Sequence, residues 1–121
     1  MDKEKKRILI VDDDESVSRA FKILLKTFDI EVRTFSSAET YFSEVPDSLE
    51  GCLLLDIHMP GLDGWETLTR IIKSGSKRPV IIISADKNGG IRERALKSGA
   101  VGFFQKPVNA QELIYLINKV Y

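Results

Sequence analysis

The feature that most constrains this chain is a strict alternation, five times over, between a short strand-like run and a segment of helical periodicity. Ile8, Leu9, Ile10 and Val11 form the first run. Val17, Ala20, Phe21, Leu24, Leu25 and Phe28 follow at i, i+3, i+4, i+7, i+8 and i+11, which is one face of a helix. Residues 31–35 alternate and read as a half-buried strand. Ala38, Tyr41, Phe42 and Val45 return to helical spacing, and Ser36 with Glu39 three residues later predicts a capping box at the start. Cys52, Leu53, Leu54 and Leu55 are the second continuous run. Asp63 and Glu66 predict the opening of a third helix, with Trp65, Leu68 and Ile72 inward and Gly75 at its close. Val80, Ile81, Ile82 and Ile83 are the third run. Residues 91–98 read as a shorter, weaker helix ending at Gly99, and residues 101–105 as the last strand. Asn109 and Glu112 open a final helix with Leu113, Leu116, Ile117 and Val120 on one face.

Such alternation predicts an α/β fold: a five-stranded parallel sheet, helices on both faces and right-handed crossovers. The runs around Ile10, Leu54 and Ile82 lack alternation, as central strands buried on both faces do. The strand around Arg33 alternates, and the last is short, so these are the edges. The order 2-1-3-4-5 satisfies both conditions. The 121 residues suit one domain, 1–121, with no repeat or linker.

Composition excludes several classes. Eighteen Lys and Arg balance eighteen Asp and Glu, so a basic nucleic-acid footprint is missing and direct nucleic-acid binding is not expected. A single cysteine, Cys52, excludes an internal disulfide and a cysteine-based zinc site, and reads as a small buried apolar residue. No apolar run is long enough to span a membrane. The charged start of the chain, followed by only four apolar residues, has no secretory core, so the expected compartment is the cytoplasm. The chain stops at the end of a helix, at Tyr121, and reads as a domain cut from a longer protein.

In sheets of this order, ligands bind at the carboxyl ends of the strands where the order switches, here between strands one and three. Strand one runs into Asp12, Asp13, Asp14 and Glu15, strand three into Asp56, strand four into Ser84, and strand five into Lys106 and Pro107. Asp12, Asp13 and Asp56 together would repel one another unless a divalent cation resolved the repulsion. Oxygen ligands without His or Cys favour Mg²⁺ over zinc. Asp14 and Glu15 fit an acidic helix start instead. Lys106 suits either a salt bridge or neutralisation of a transferring phosphoryl group. Ser84 suits either a turn cap or a hydrogen bond to a phosphoryl oxygen. An acidic first loop would repel a flavin phosphate, which excludes that cofactor.

These residues resemble the receiver domain of bacterial two-component response regulators, a flavodoxin-like fold, over nearly the whole chain. The resemblance is carried by Ile-Leu-Ile-Val-Asp12-Asp13, by Leu-Leu-Leu-Asp56-Ile-His-Met-Pro60-Gly-Leu-Asp-Gly64, by Ile-Ile-Ile-Ser84-Ala, and by Gly99-Ala-Val-Gly-Phe103-Phe-Gln-Lys106-Pro107. It implies that Asp56 is the phosphoacceptor. It implies that Asp13 binds Mg²⁺ directly, Asp12 largely through water, and the backbone carbonyl of His58 as a third protein ligand. Ser84 would hydrogen-bond the phosphoryl group and Lys106 would pair with it, reaching Asp56 from the side away from the acidic loop. Phe103 would be the aromatic switch position, and Lys106–Pro107 a cis peptide. The implied function is a phosphorylation-dependent switch, not a metabolic enzyme. Its partners would be a sensor histidine kinase or histidine phosphotransfer protein, and an output domain or target protein met through the fourth helix, fifth strand and fifth helix. A phosphorylation-dependent dimer is compatible with that face.

Other residues have plainer readings: Trp65 and Tyr41 as core, the His58 side chain as solvated, Gly89 and Gly90 as a mobile connection before the fourth helix. Two rival readings exist. Asp12-x-Asp14-x-Ser16 also resembles the first motif of haloacid-dehalogenase-like phosphatases, with Asp12 as nucleophile and Asp14 as acid, and Ser84 and Lys106 fitting later motifs. A further acidic pair is missing there, the chain is short, and Asp56 and Met59-Pro60-Gly61 go unused. The other rival is a receiver-fold binding module that is never phosphorylated, against which stands the full set of site residues.

Overall fold

The computed structural model describes residues 6–121; residues 1–5, the charged start of the chain, lie outside the described part. Five strands and five helices alternate: β1 (Arg7–Val11), α1 (Glu15–Lys26), β2 (Glu31–Phe35), α2 (Ala38–Glu44), β3 (Cys52–Asp56), α3 (Gly64–Lys73), β4 (Val80–Ser84), α4 (Gly90–Lys97), β5 (Gly102–Gln105) and α5 (Ala110–Val120). The sheet is parallel throughout, in the order β2-β1-β3-β4-β5. β3 and β4 are buried along their whole length, whereas β2 and β5 at the edges are partly exposed. No helix among the described residues is long and apolar enough to cross a membrane.

Successive side chains of a strand point to opposite faces, and this splits the core in two. Leu9, Val11, Leu53, Leu55 and Ile82 pack under α2, α3 and α4. Ile8, Ile10, Leu54, Ile81 and Ile83 pack under α1 and α5 through Phe21, Leu25, Leu113 and Ile117. Each fully buried Leu or Ile contributes about 1.5–3 kcal/mol of hydrophobic stabilisation, so the continuous runs anchor the sheet. Cys52 is buried in the second layer, where burial pushes its thiol up to about 12.

The helices differ from the sequence reading in rotation and caps. α1 buries Ser18, Phe21 and Leu25, while Leu24 and Phe28 are exposed. A helix lying on a sheet buries one stripe, and residues beside that stripe turn outward. α3 likewise buries Thr67, Leu68 and Ile71, leaving Ile72 exposed and Trp65 only half-buried. The α2 cap is Ser37, not Ser36: the Ser37 hydroxyl accepts from the Thr40 N–H. Glu39 therefore does not close a capping box, and its carboxylate accepts from the Leu62 N–H in the loop before α3. Val101 is exposed and lies just before β5. Asp63 and Asn109 do cap α3 and α5, and the left-handed Gly75 and Gly99 follow α3 and α4. Tyr41 is core, edge-on to Phe35.

Candidate functional site

At the switch point β1 and β3 lie side by side and stop together, Val11 opposite Leu55. The next residue of the first strand, Asp12, is fixed by its N–H to the Phe35 carbonyl, and its Oδ1 accepts from the Asp14 N–H at 2.9 Å. Asp14 caps α1, accepting from the N–H groups of Ser16 and Val17 and from the Ser16 hydroxyl. Asp56 ends β3, and its Oδ1 accepts from the His58 N–H at 3.2 Å. Ser84 ends β4 with no exposure, and its carbonyl accepts from the Lys106 N–H at 2.8 Å, which brings Lys106 to the same rim. The Lys106–Pro107 peptide is cis.

Asp12, Asp13 and Asp56 each offer an oxygen, all three within 4.8 Å of one another. Asp12 and Asp56 are buried, at 1% and 5% exposure, while Asp13 is exposed. The Lys106 ammonium stands 2.8 Å from Asp12 Oδ2 and 3.4 Å from Asp56 Oδ2. It bridges the two acids, and is closer to the acidic loop than to Asp56, contrary to the approach from the far side expected above. In the β4–β5 register Ser84 lies opposite Gln105, so Lys106 is the first residue beyond β5 at the same rim.

The electrostatics are unequal. Burial first, and the neighbouring Asp12 charge second, raise Asp56 to about 6 despite Lys106 and the His58 N–H. Burial alone would lower the Lys106 ammonium, but its hydrogen bond to Asp12 and the two carboxylate charges outweigh that and hold it above its ordinary value. The donor set fits a hard divalent cation: three carboxylates converge, and the central one is held ionised only at a cost.

Ser84 Oγ accepts from the Asp86 N–H at 3.0 Å, so in this state it serves as a turn cap. Phe103 is half-buried, packed against the core layer of α2–α4 and facing a groove that Tyr115 and Leu96 also line. The His58 side chain is exposed and lies 3.5 Å from the Asp86 carboxylate. Three residues have roles here that the sequence reading did not give them. Glu39 holds the loop after β3, and Asp86 faces His58. A Cβ on Gly64 would come 2.5 Å from Ile57 Cα and 2.7 Å from the Asp56 carbonyl, so only glycine lets α3 start this close to the end of β3. The Asp-Gly spacing after Met59-Pro60 is the only trace of that constraint in the sequence.

The phosphatase alternative finds no support. Asp14, its required acid, is exposed, and the hydroxyl of Ser16 above all, opposed by desolvation but joined by the Ser16 and Val17 N–H groups, holds its carboxyl below the usual range. A carboxylate so held is a poor proton donor at neutral pH.

Residues 8–118 match the family model of the response regulator receiver domain. The chain belongs to that family. It is 33% identical over 114 residues to the response regulator protein TmoT of Ectopseudomonas mendocina, covering 94% of this chain and 52% of that protein. It is 36% identical over 107 residues to TodT of Pseudomonas putida, covering 88% and 47%. The chain thus spans about half the length of these curated relatives. The crystal structure of FixJ-N superimposes with a TM-score of 0.87 at 29% identity, covering 98% of this chain and 94% of that one. Receiver domains are phosphorylation-dependent signalling switches of two-component systems, not metabolic enzymes, and this chain is one of them.

Proposed function

We propose that Asp56 is the phosphoacceptor of this receiver, and the observation that carries this is its environment: a buried strand-end carboxylate raised to about 6, flanked by Asp12 and Lys106. At pH 7 it is ionised yet poorly solvated, the state of a competent nucleophile. An Asp56 oxygen attacks the phosphorus of a phosphohistidine in line with its P–N bond. The O–P bond forms as the P–N bond breaks, and the departing imidazole nitrogen keeps the bonding pair and takes a proton. Lys106 pairs with a phosphoryl oxygen, and Ser84 donates its O–H to another. Asp13, Asp12, Asp56 and the His58 carbonyl would hold Mg²⁺, which when bound neutralises phosphoryl charge. The domain is residues 1–121.

The donor would be a cytoplasmic sensor histidine kinase or histidine phosphotransfer protein. An apolar groove of about 430 Å³ supports this: Val17, Ala20 and Leu24 of α1 line it with Pro107 and Val108, immediately beside Lys106. On the other side, Phe103, Leu96, Val101 and Tyr115 line a groove of about 780 Å³ on the α4-β5-α5 face. That face would meet an output domain, a target protein or a second phosphorylated copy. Phe103 would move when Ser84 turns to the phosphoryl group.

Intact-mass measurement after treatment with a small acyl phosphate and Mg²⁺ tests this. The parent protein should gain one hydroxylamine-labile phosphoryl group, chelation before reaction should abolish it, and Asp56→Asn should gain none. Undiminished labelling of Asp56→Asn overturns the assignment.

A further inference from the structure

α1 carries a polar stripe that the phosphoryl rim does not use. Glu15, Ser18, Arg19 and Lys22 stand at i, i+3, i+4 and i+7, so they share one face of the helix. That stripe lines a cavity of about 380 Å³ together with Thr34 and Ser36, at the end of the edge strand β2. Thr34 falls on the α1 side of the sheet by strand alternation, as Val32 does two residues before it. Ser18 is only 7% exposed, and its Oγ has no hydrogen-bond partner among the described residues. A helical serine commonly returns its hydroxyl to the carbonyl four residues back. Here the Asp14 carbonyl accepts the Ser18 N–H and not the hydroxyl. Leaving a buried hydroxyl unpaired is costly, and each such group calls for a reason. Arg19 and Lys22 are exposed, and neither forms an ion pair among the described residues, although Glu15 lies one turn from Arg19.

We propose that this cavity between α1 and β2 binds a small phosphomonoester that carries a free hydroxyl. Arg19 and Lys22 supply two positive charges, and Ser18 and Thr34 supply hydroxyl donors. A phosphate group has acceptor oxygens enough for all four, and the planar guanidinium matches two of them at once. Asp12 also borders the cavity, but its carboxylate is already engaged by Lys106 at 2.8 Å and by the Asp14 N–H at 2.9 Å. Glu15 is the remaining acid of the stripe. An ionised carboxylate only accepts hydrogen bonds, so it takes the ligand's hydroxyl and disfavours a second anionic group. The volume is at the small end of the ~300–1,000 Å³ of ligand pockets, which suits a phosphate on a short carbon chain and not a nucleotide. The ligand is held and not consumed, and its binding is independent of phosphorylation at Asp56.

Amide chemical shifts of the labelled protein, titrated in a chelating buffer, test the site with glycerol 3-phosphate, inorganic phosphate and glycerol as probes. Glycerol 3-phosphate should shift residues 15–22 and 34–36 saturably, inorganic phosphate should bind more weakly at the same residues, and glycerol should shift nothing. Arg19→Gln and Lys22→Gln should each weaken glycerol 3-phosphate about tenfold, the loss of one charge-assisted hydrogen bond. Ser18→Ala should weaken it about fivefold, yet melt at or above the parent, because its hydroxyl has no partner within the fold. Lys106→Met should bind the probe as the parent does. The absence of a saturable shift overturns the site. Shifts lost in Lys106→Met but kept in Arg19→Gln put the anion at the phosphoryl rim and also overturn it. So does a Ser18→Ala protein that melts several degrees below the parent, since the hydroxyl then has an internal role. Equal affinity for inorganic phosphate and glycerol 3-phosphate overturns the ester and the part given to Glu15.

Discussion

Each end of the sheet buries charge, and the two ends treat it differently. At the amino end Arg78, 9% exposed, lies just before β4. Its Nη1 donates to the Gly51 carbonyl at 2.9 Å, and its Nη2 to the carbonyls of Leu49 at 2.7 Å and Pro46 at 3.4 Å, leaving Nε as its one unpartnered donor. The guanidinium ties the turn before β3 to the turn before β4 by donating to the Gly51 and Leu49 carbonyls, and it adds a second donor to the Pro46 carbonyl that the Leu49 N–H already serves. At the carboxyl end Asp12 and Asp56 face each other across one ammonium, with two negative charges to one positive. The first arrangement is structural glue. The second holds repulsion that a divalent cation would relieve. Burial of a charge alone does not mark function; incomplete compensation does.

The largest effect should come from the amino end. Arg78→Met should cost about 4 kcal/mol, because the buried Gly51 carbonyl and the part-buried Leu49 carbonyl lose their donors. Denaturant unfolding measures it, and a loss below about 1 kcal/mol would mean water replaces the guanidinium. The carboxyl end should respond with the opposite sign. Asp56 has a higher pKa in the fold, about 6, than the 3.8 of an unperturbed carboxyl. The folded state therefore binds its proton more tightly, and stability from this group is full below about 4 and falls as pH rises to 6. In a chelating buffer at pH 7, Asp56→Asn should be more stable than the parent by on the order of 2–3 kcal/mol, a gain that vanishes near pH 4. Asp56→Asn that is less stable than the parent at pH 7 would make both ends structural. The smallest effect separates ordinary capping from site chemistry on the same rim. Ser37→Ala should cost about 1 kcal/mol and Ser36→Ala almost nothing, neither changing phosphorylation. Equal losses in thermal melts would restore the capping box at Ser36.

Much of this was legible in the chain itself. Three uninterrupted apolar runs can only be central strands of a parallel sheet, and helical spacing between them leaves one topology that hides all three. Strand ends follow from where the runs stop, so Asp12, Asp56, Ser84 and Lys106 share a rim by topology alone. Local chemistry likewise settled Asp63 and Asn109 as caps and the left-handed turns at Gly75 and Gly99. What depended on docking angle was not legible. A helical face spans several residues, and only packing decides that Ile71 points in and Ile72 out, or that Leu24 lines a groove rather than the core. Long side chains are less legible still. Glu39 could have capped its own helix but reaches the loop after β3, Arg94 lies on a ring twenty-nine positions away, and Lys106 bridges two acids from other strands. Backbone pattern is written in residues three or four apart, whereas the balance of charge at the rim is a sum over strands far apart in sequence. Only the folded sheet, by excluding water from Asp12 and Asp56 together, raises a plain strand-end carboxylate to a poised one.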